Sequence, residues 1–228
     1  MPKINQDQLP GNPDLQFERE LWKEGFQYVG GIDEAGRGAL AGPVYAAVVI
    51  LPADPSIEKI LHGVRDSKQM TPLQRVHFES LIKAAAILWK IGFASAGEID
   101  ALGIVPATRL ACMRALDNLN IPPEHLLLDY LILPECCINQ TALVKGDRRS
   151  LTIAAASVLA KTARDALMRE LEVQHPGYGL ARHKGYGTLT HRLALKHLGP
   201  SPIHRRTFRF KNFSEAKDLT RYISEVPK

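Results

Sequence analysis

Two adjacent carboxylates, Asp33 and Glu34, interrupt an apolar, glycine-rich stretch that runs from Tyr28 to Leu51 as YVGGIDEAGRGALAGPVYAAVVIL. The stretch begins with strand formers and recovers as a second predicted strand over Val44–Leu51. An ionised carboxylate that leaves water without a partner loses several kcal/mol. An Asp-Glu step at the end of a core strand therefore needs cations, for which metal ions are the candidates. Taken alone, the pair is better explained as acids in a surface turn.

Glycines follow the acidic pair in the segment Gly36-Arg37-Gly38. Glycine permits positive φ angles and lets a ligand approach the main chain without meeting a β-carbon. Arg37 can offer a forked cation to a phosphate. The segment therefore predicts a place where a nucleic-acid strand lies against the backbone.

The run from Gly31 to Gly38, GIDEAGRG, followed by Gly42-Pro43, resembles the signature of type 2 ribonuclease H, the ribonuclease HII family. The related ribonuclease HIII usually has threonine at the position of Arg37 and carries a large extra N-terminal domain, whereas 27 residues precede Tyr28 here. The resemblance therefore favours HII. It implies an α/β fold with a ribonuclease H-like mixed sheet flanked by helices, and a helical C-terminal extension.

Two further acids are candidate metal ligands. Asp129 is the one charge in the apolar run Leu126–Leu133, so either a partner keeps it buried or the predicted strand is wrong. Asp147 precedes a helix predicted from about Ser150, where helix capping is the alternative explanation. The family usually has glycine where this chain has Tyr130. The resemblance implies that four acids are catalytic and hold Mg²⁺ or Mn²⁺: Asp33, Glu34, Asp129 and Asp147.

A basic segment from Val173 to Ser214 contains no aspartate or glutamate, which predicts a phosphate-facing surface. The net charge of +5 and the pI near 9.1 point modestly the same way. Spacing alone favours a packing role for Tyr186 and leaves Lys68 open between a solvated turn and a phosphate contact. The resemblance favours sugar stacking by Tyr186 and phosphate contact by Lys68. We expect eight residues to bind substrate: Gly36, Arg37, Gly38, Lys68, Lys184, Tyr186, Arg205 and Arg206.

Three segments are expected: a lead-in with a short helix (1–27), a catalytic domain with its C-terminal extension (28–212) and a tail (213–228). Other acids are interpreted as structural, namely Glu98 and Asp100 near a helix start and Asp165, four residues after Lys161.

No uncharged run is long enough to span a bilayer, and no apolar signal core begins the sequence. We therefore expect a cytoplasmic protein. We also expect a monomer. Further predicted elements are helices at Phe17–Glu24, Pro72–Ala85, Pro106–Leu119 and Thr188–Leu198, and a strand at Ile87–Ala94.

The chemistry implied is metal-dependent hydrolysis of a phosphodiester on the 5' side of a ribonucleotide, leaving 3'-hydroxyl and 5'-phosphate ends. The expected substrates are RNA/DNA hybrids and DNA duplexes that contain ribonucleotides, with roles in ribonucleotide excision and RNA primer removal. Two alternatives stay open: an inactive nucleic-acid-binding module on the same fold, and a DNA nuclease that ignores the 2'-hydroxyl. The four acids argue against the first, and the segment Gly36-Arg37-Gly38 argues against the second.

Overall fold

A mixed five-stranded sheet forms the centre of the structure, a computed structural model that describes residues 9–208. The sheet has the order β3-β2-β1-β4-β5. β2 runs antiparallel to both β1 and β3, whereas β4 runs parallel to β1 and β5. The strands are β1 (Val29–Ala35), β2 (Val44–Ile50), β3 (Leu88–Ala94), β4 (His125–Asp129) and β5 (Asn139–Leu143).

Helices cover both faces of this sheet, as the predicted fold class requires. Two short 3-10 turns, Ser67–Gln69 and Gly146–Arg148, precede α3 and α6. Within residues 9–208, no helix combines the length and the apolar character needed to cross a membrane. The helices are α1 (Gln16–Lys23), α2 (Ile57–Ile60), α3 (Pro72–Ala85), α4 (Ala96–Leu102), α5 (Ile104–Asp117), α6 (Leu151–Gln174), α7 (Leu180–His183) and α8 (Leu189–Leu198).

The apolar run of β2 is explained by burial on both faces. Ala47 and Val49 belong to the core under α6, whereas Val48 belongs to the core under α5. α6 lies directly on β1, because a β-carbon added to Gly31 would lie 2.4 Å from the carbonyl carbon of Thr152. The small residues at the start of α6 therefore bring that helix against the strand that carries the acidic pair.

The predicted helical C-terminal extension is confirmed by α7 and α8. It joins the catalytic domain through two isolated β-bridges, which pair Ala39 with Tyr186 and Ala41 with His204. The segment after Gly36 is thus held directly by the extension. Residues 209–212 and the predicted tail 213–228 lie outside the described residues.

Several element boundaries differ from the sequence predictions. β4 ends at Asp129 instead of continuing to Leu133, because Tyr130 adopts a left-handed conformation with φ 61° that ends the strand. The helix predicted from Pro106 begins at Ile104. α4 and β5 were not predicted, although Ser95 and Glu98 form the capping box that begins α4.

The lead-in packs against the start of α6 over part of its length. Leu15 is fully buried, and Asp14 pairs with Ser150 at the start of α6. Glu18 of α1 is also fully buried and accepts hydrogen bonds from the Ser150 hydroxyl (2.6 Å) and the Thr152 N–H (3.0 Å). The N-terminal helix therefore anchors the beginning of α6.

Candidate active site

Two parallel strands, β1 and β4, end at the same edge of the sheet, and both carry acids there. β1 ends with Asp33, Glu34 and Ala35, and β4 ends at Asp129. Ile32 pairs with Leu128, so Asp33 and Asp129 follow side by side on neighbouring strands. Asp33 is 4% exposed, and its Oδ1 accepts a hydrogen bond from the N–H of Glu34 at 2.7 Å.

The fourth predicted acid, Asp147, reaches the same edge through the 3-10 turn before α6. Its neighbour Gly146 donates its N–H to Asp129 Oδ1 at 2.7 Å, which ties the turn to β4. Asp147 is 5% exposed, so it is held inside the site and does not simply cap a helix at the surface. The cap of α6 is Ser150, whose hydroxyl accepts from the N–H of Ile153.

Burial and mutual repulsion raise the pKa of these carboxyl groups. For Asp33, burial is the largest cause, followed by the charges of Glu34 and Asp129. Burial and the charge of Asp129 raise the pKa of Asp147 to about 7. Burial also raises the pKa of Asp129 and of Glu34, against hydrogen bonds from Gly146 and Arg37 respectively. The cluster therefore carries more negative charge than its protein surroundings stabilise.

Positive charge from the protein reaches the acids through two side chains. Arg37 forms an ion pair with Glu34 at 3.0 Å. Burial alone would lower the pKa of Lys68, but the charges of nearby acids, including Asp33 and Asp147, outweigh burial and raise the pKa. The two cations lie beside the acids, as the predicted phosphate contacts require.

The donor set suits a divalent cation that is shared with a substrate. Four clustered carboxylates supply the oxygen ligands that Mg²⁺ and Mn²⁺ prefer. Within residues 9–208, no three histidine, cysteine, aspartate or glutamate side chains already converge as ligands of one ion. Mg²⁺ is usually held by one or two carboxylates together with water and substrate phosphates. The arrangement therefore fits an ion whose coordination is completed by substrate.

A pocket of about 440 Å³ opens beside the acids and brings several predicted substrate-binding residues together. The ring of Tyr186 lies 5.7 Å from Lys161 Nζ and 5.5 Å from the guanidinium carbon of Arg164. An aromatic ring, four cationic side chains and an acid therefore share one opening. The pocket is lined by Glu34, Ala35, Gly36, Arg37, Gly38, Ser67, Lys68, Arg75, Lys161 and Tyr186.

The two glycines of the segment Gly36-Arg37-Gly38 have different surroundings. Gly36 has φ 95°, and a β-carbon there would lie 2.0 Å from Arg164 Nε. Its carbonyl already accepts hydrogen bonds from the Ala39 N–H and from Arg205. Gly38 is exposed, and an added β-carbon would meet nothing within 4 Å. The protein itself therefore requires glycine at position 36, whereas at position 38 only a ligand would make a side chain unfavourable.

The side chains of two buried arginines, Arg164 and Arg205, lie against this segment. Arg164 is fully buried and donates to three carbonyls, those of Pro43 (2.9 Å), Lys184 (3.0 Å) and Ala41 (3.1 Å). The sequence prediction missed Arg164. A signal existed, because Arg164 lies four residues before Met168 and four after Ala160, on the buried face of α6.

Arg205 has a different position from the one expected. It was predicted to contact phosphate, but it is 3% exposed, and its guanidinium donates to the carbonyls of Gly36 (2.7 Å), Arg37 (2.8 Å) and Gly42 (3.0 Å). With these bonds made inside the protein, Arg205 faces the backbone of the glycine segment and not solvent. A charge pattern alone does not distinguish a buried arginine from a surface arginine.

The remaining basic predictions divide by exposure. Arg206 is exposed, and its N–H donates to Asp100 at 2.9 Å. Lys184 is partly buried and donates through Nζ to the carbonyl of Ala181, outside the pocket. Because Asp100 accepts hydrogen bonds from the backbone of Arg206 and Thr207, it has a structural role, as predicted.

Lys68 is positioned by its two preceding residues. Asp66 caps the 3-10 turn by accepting from the Lys68 N–H at 2.9 Å. Ser67 is buried and exchanges a hydrogen bond of 2.9 Å with Ser157 of α6. The triplet Asp66-Ser67-Lys68 is therefore anchored to the helix that also packs under the acids.

The structural interpretation of the other acids is confirmed. Glu98 forms the capping box of α4 and an ion pair of 2.6 Å with Arg114. Asp165 forms the expected ion pair with Lys161 at 2.6 Å. It also lies 3.5 Å from Arg75, which the sequence did not indicate.

The chain is similar to known proteins in sequence and in fold. The family model described as Ribonuclease HII matches residues 30–212. The ribonuclease HII of Synechococcus sp. (strain JA-3-3Ab) is 56% identical over 198 residues, which cover 86% of this chain and 88% of that protein. The ribonuclease H2 from Pyrococcus horikoshii OT3 is 25% identical, with a TM-score of 0.64 over 87% of this chain and 99% of that chain. Bst-RNase HIII, solved in complex with Mn²⁺, is 19% identical and shares the fold, with a TM-score of 0.62 over 87% of this chain and 70% of that chain.

Proposed function

Because the chain belongs to the ribonuclease HII family, we propose that it is a metal-dependent endoribonuclease acting on RNA/DNA hybrids and on duplex DNA with embedded ribonucleotides. It cuts the RNA strand of a hybrid, and in DNA it cuts on the 5' side of a single ribonucleotide. The products carry 5'-phosphate and 3'-hydroxyl ends. Its roles in the cell are ribonucleotide excision and RNA primer removal.

One observation carries the proposal. The exposed face of Gly38 and the ring of Tyr186 line the same pocket as Glu34, which follows Asp33 on β1. A strand that lies against Gly38 therefore brings a phosphodiester close to the acids. The likeness to relatives that are themselves ribonucleases HII supports hydrolysis over simple binding.

The four acids Asp33, Glu34, Asp129 and Asp147 are the residues that would hold Mg²⁺ or Mn²⁺. When bound, such ions activate water and stabilise charge on the leaving oxygen. The Mn²⁺ complex of Bst-RNase HIII, a protein of the same fold, supports a divalent ion. Lys68 and Arg37 supply fixed positive charge next to the acids, which favours a phosphate in this position.

The 2'-hydroxyl is read by the backbone beside Gly38. A 2'-hydroxyl both donates and accepts hydrogen bonds, so main-chain groups can recognise it. Within residues 9–208, no hydrogen bond uses the N–H of Arg37 or Gly38. The carbonyl of Gly36 already accepts two hydrogen bonds, so this role falls to the two residues after it. Tyr186 stacks on the next sugar on the 3' side and rejects a second ribose there.

The experiment is magnesium- or manganese-dependent cleavage of three duplexes: DNA with one embedded ribonucleotide, an RNA/DNA hybrid and DNA alone. We expect cleavage of the first two. Binding without cleavage would identify an inactive module, and cleavage of DNA alone would identify a nuclease that ignores the 2'-hydroxyl. Tyr186→Ala should slow single-turnover cleavage at the embedded ribonucleotide by about tenfold while leaving duplex binding nearly unchanged. A wild-type rate for that variant would return Tyr186 to a packing role.

A further inference from the structure

Three histidines of the C-terminal extension form a buried chain, here called the histidine relay: His183, His191 and His204. His191 is fully buried and His204 is 4% exposed. The rings of His183 and His191 stack with centroids 4.3 Å apart. The Nε2 atoms of His191 and His204 lie 3.1 Å apart. None of these side chains was part of the predicted site.

Hydrogen-bond partners fix where the protons of His191 and His204 lie. His191 Nδ1 is 3.0 Å from the carbonyl oxygen of Tyr186, which only accepts, so Nδ1 carries a proton. His204 Nδ1 accepts from the N–H of Ser201 at 3.0 Å, so the proton of a neutral His204 is on Nε2. His204 therefore donates to His191, which donates to Tyr186.

His183 is fixed in the same way. Its Nε2 donates to the carbonyl of Tyr178 at 2.7 Å, and its Nδ1 accepts from the Gly185 N–H at 3.2 Å. Each nitrogen of the relay thus has a partner that matches a neutral ring. An added proton on His183 or His191 would face another donor, so it would break a hydrogen bond. On His204 Nδ1 it would displace the Ser201 N–H, although the Ser201 hydroxyl at 2.8 Å could accept it.

The relay ends on the residue proposed to stack on the substrate. The Tyr186 carbonyl accepts from His191 and from the Thr188 N–H at 2.8 Å, and the Tyr186 N–H donates to the carbonyl of His183 at 3.0 Å. The carbonyl of the preceding Gly185 accepts from the Leu40 N–H at 2.8 Å. The backbone of Tyr186 is therefore held between the relay and the residues that directly follow the glycine segment.

We propose that the histidine relay is a positioning device for Tyr186. In its neutral, hydrogen-bonded state it holds the Tyr186 ring at the pocket, and proton uptake by the relay releases that ring. The proposal rests on the stacking role proposed above for Tyr186. It adds three positioning residues, of which His204 lies farthest along the relay from the substrate.

The electrostatic surroundings favour the neutral state. Burial lowers the pKa of all three histidines, and for His191, where His183 adds to burial, the value falls to about 4. Other charged neighbours act on the ends of the relay. Glu172 raises the pKa of His183 and Lys184 lowers it, whereas His175 lowers the pKa of His204.

The test compares two substitutions of His191. Asparagine places an amide N–H near the position of Nδ1, so His191→Asn keeps a donor for Tyr186 but does not titrate. His191→Phe keeps a ring and removes the donor. We expect His191→Phe to slow single-turnover cleavage at one embedded ribonucleotide by about tenfold, matching Tyr186→Ala, with duplex binding nearly unchanged. His191→Asn should retain the wild-type rate, as should the exposed control His62→Asn.

A double substitution separates failure of this proposal from failure of the stacking role. If the relay acts through Tyr186, His191→Phe adds no further loss in a Tyr186→Ala background. If Tyr186→Ala cleaves slowly, but His191→Phe either has the wild-type rate or adds a further loss in the double variant, the relay proposal fails and the stacking role stands. A normal rate for Tyr186→Ala overturns the stacking role, and the relay proposal with it.

Acidification supplies a readout that packing alone would not give. The rate at one embedded ribonucleotide, divided by the rate on an RNA/DNA hybrid, cancels pH effects common to both. Because the pKa values of all three histidines are lowered, we expect this ratio to stay constant from about pH 8 to about pH 6.5 and to fall at lower pH in the wild type. In His191→Asn it should stay constant throughout. ¹⁵N NMR of the wild type should show a protonated Nδ1 on His191 and a protonated Nε2 on His204. Identical pH profiles or the opposite tautomers would overturn the proposal, even where a variant fails to fold.

Discussion

Two alanine substitutions two residues apart, Gly36→Ala and Gly38→Ala, should have opposite effects on folding and on catalysis. Gly36 has φ 95° and faces the buried side chain of Arg164. Gly38 is not among the glycines with positive φ and faces open space. The first change therefore disturbs the folded protein, whereas the second introduces a methyl group only where substrate is proposed to lie.

The loss of stability in Gly36→Ala has two causes, the backbone conformation of residue 36 and the contact of its new side chain with Arg164. A left-handed backbone costs an alanine about 1–2 kcal/mol. The new β-carbon would lie 2.0 Å from Arg164 Nε, so the guanidinium must move and lose at least one of its three carbonyl partners. An unsatisfied buried group costs about 1–3 kcal/mol. We expect a loss near 3 kcal/mol, which for a chain of this size lowers Tm by about 6–12 °C.

Gly38→Ala should leave stability unchanged or raise it by up to about 1 kcal/mol, because alanine restricts the unfolded chain. Its cleavage at one embedded ribonucleotide should nevertheless fall by about tenfold or more, since the methyl group displaces the strand from the acids. Gly97→Ala on the exposed side of α4 is the matched control, with neither a close contact nor a place in the pocket.

Thermal unfolding without substrate and single-turnover cleavage measure the two effects independently. We expect a low Tm for Gly36→Ala, and a normal Tm with slow cleavage for Gly38→Ala. Equal stability losses for both variants would show that Gly38 is packed against the protein. Normal cleavage by Gly38→Ala would show that no strand approaches this backbone.

Three further predictions concern the acids, the paired arginines and the residue after β4. Asp33→Asn should abolish turnover without lowering Tm or duplex affinity, because burial and repulsion already disfavour the Asp33 charge; substantial turnover would remove Asp33 from the site. Arg206→Gln should reduce the slope of log K against log salt by up to about one unit without changing Tm, whereas the buried Arg205→Gln should lower Tm; the reverse result would contradict their exposures. Tyr130→Gly should raise stability by about 1 kcal/mol, since glycine adopts φ 61° without strain; a lower Tm would show that the tyrosine ring contributes more than its backbone costs.

The central acids could be singled out because each interrupts an apolar pattern. Asp33 and Asp129 stand in runs that otherwise belong to a core, so the sequence indicates that each charge needs a partner. Taken alone, Asp33 and Glu34 were better explained as a surface turn, and the metal-binding role came from the resemblance to ribonuclease HII. The order of the strands could not be read in the same way. The pairing of β1 with β4 joins residues almost 100 positions apart, and it decides that these two acids meet. For Asp147, a local explanation by helix capping remained open until the turn bearing it was located beside Asp129.

The arginines show where charge patterning stops being informative. Arg205 and Arg206 are neighbours in a segment without acids, and from sequence both were expected to face phosphate. In the fold, Arg205 turns inward to three carbonyls and Arg206 turns outward. A bend in the main chain at the glycine segment creates inward-facing carbonyls that need donors, and only tertiary contact decides which arginine supplies them.

The histidine relay depends on the same kind of information. Its members lie in α7, in α8 and after α8, and each ring alone is typical of a surface helix or loop. What joins them is the tautomer of each ring, because His204 donates to His191 only if Ser201 occupies its other nitrogen. Ser201→Pro removes the N–H that donates to His204 Nδ1 and fixes the tautomer of that ring. We therefore expect the relay to titrate over a wider pH range in this variant. Unchanged ¹⁵N signals of His191 in that variant would show that the protonation of His191 does not depend on the tautomer of His204.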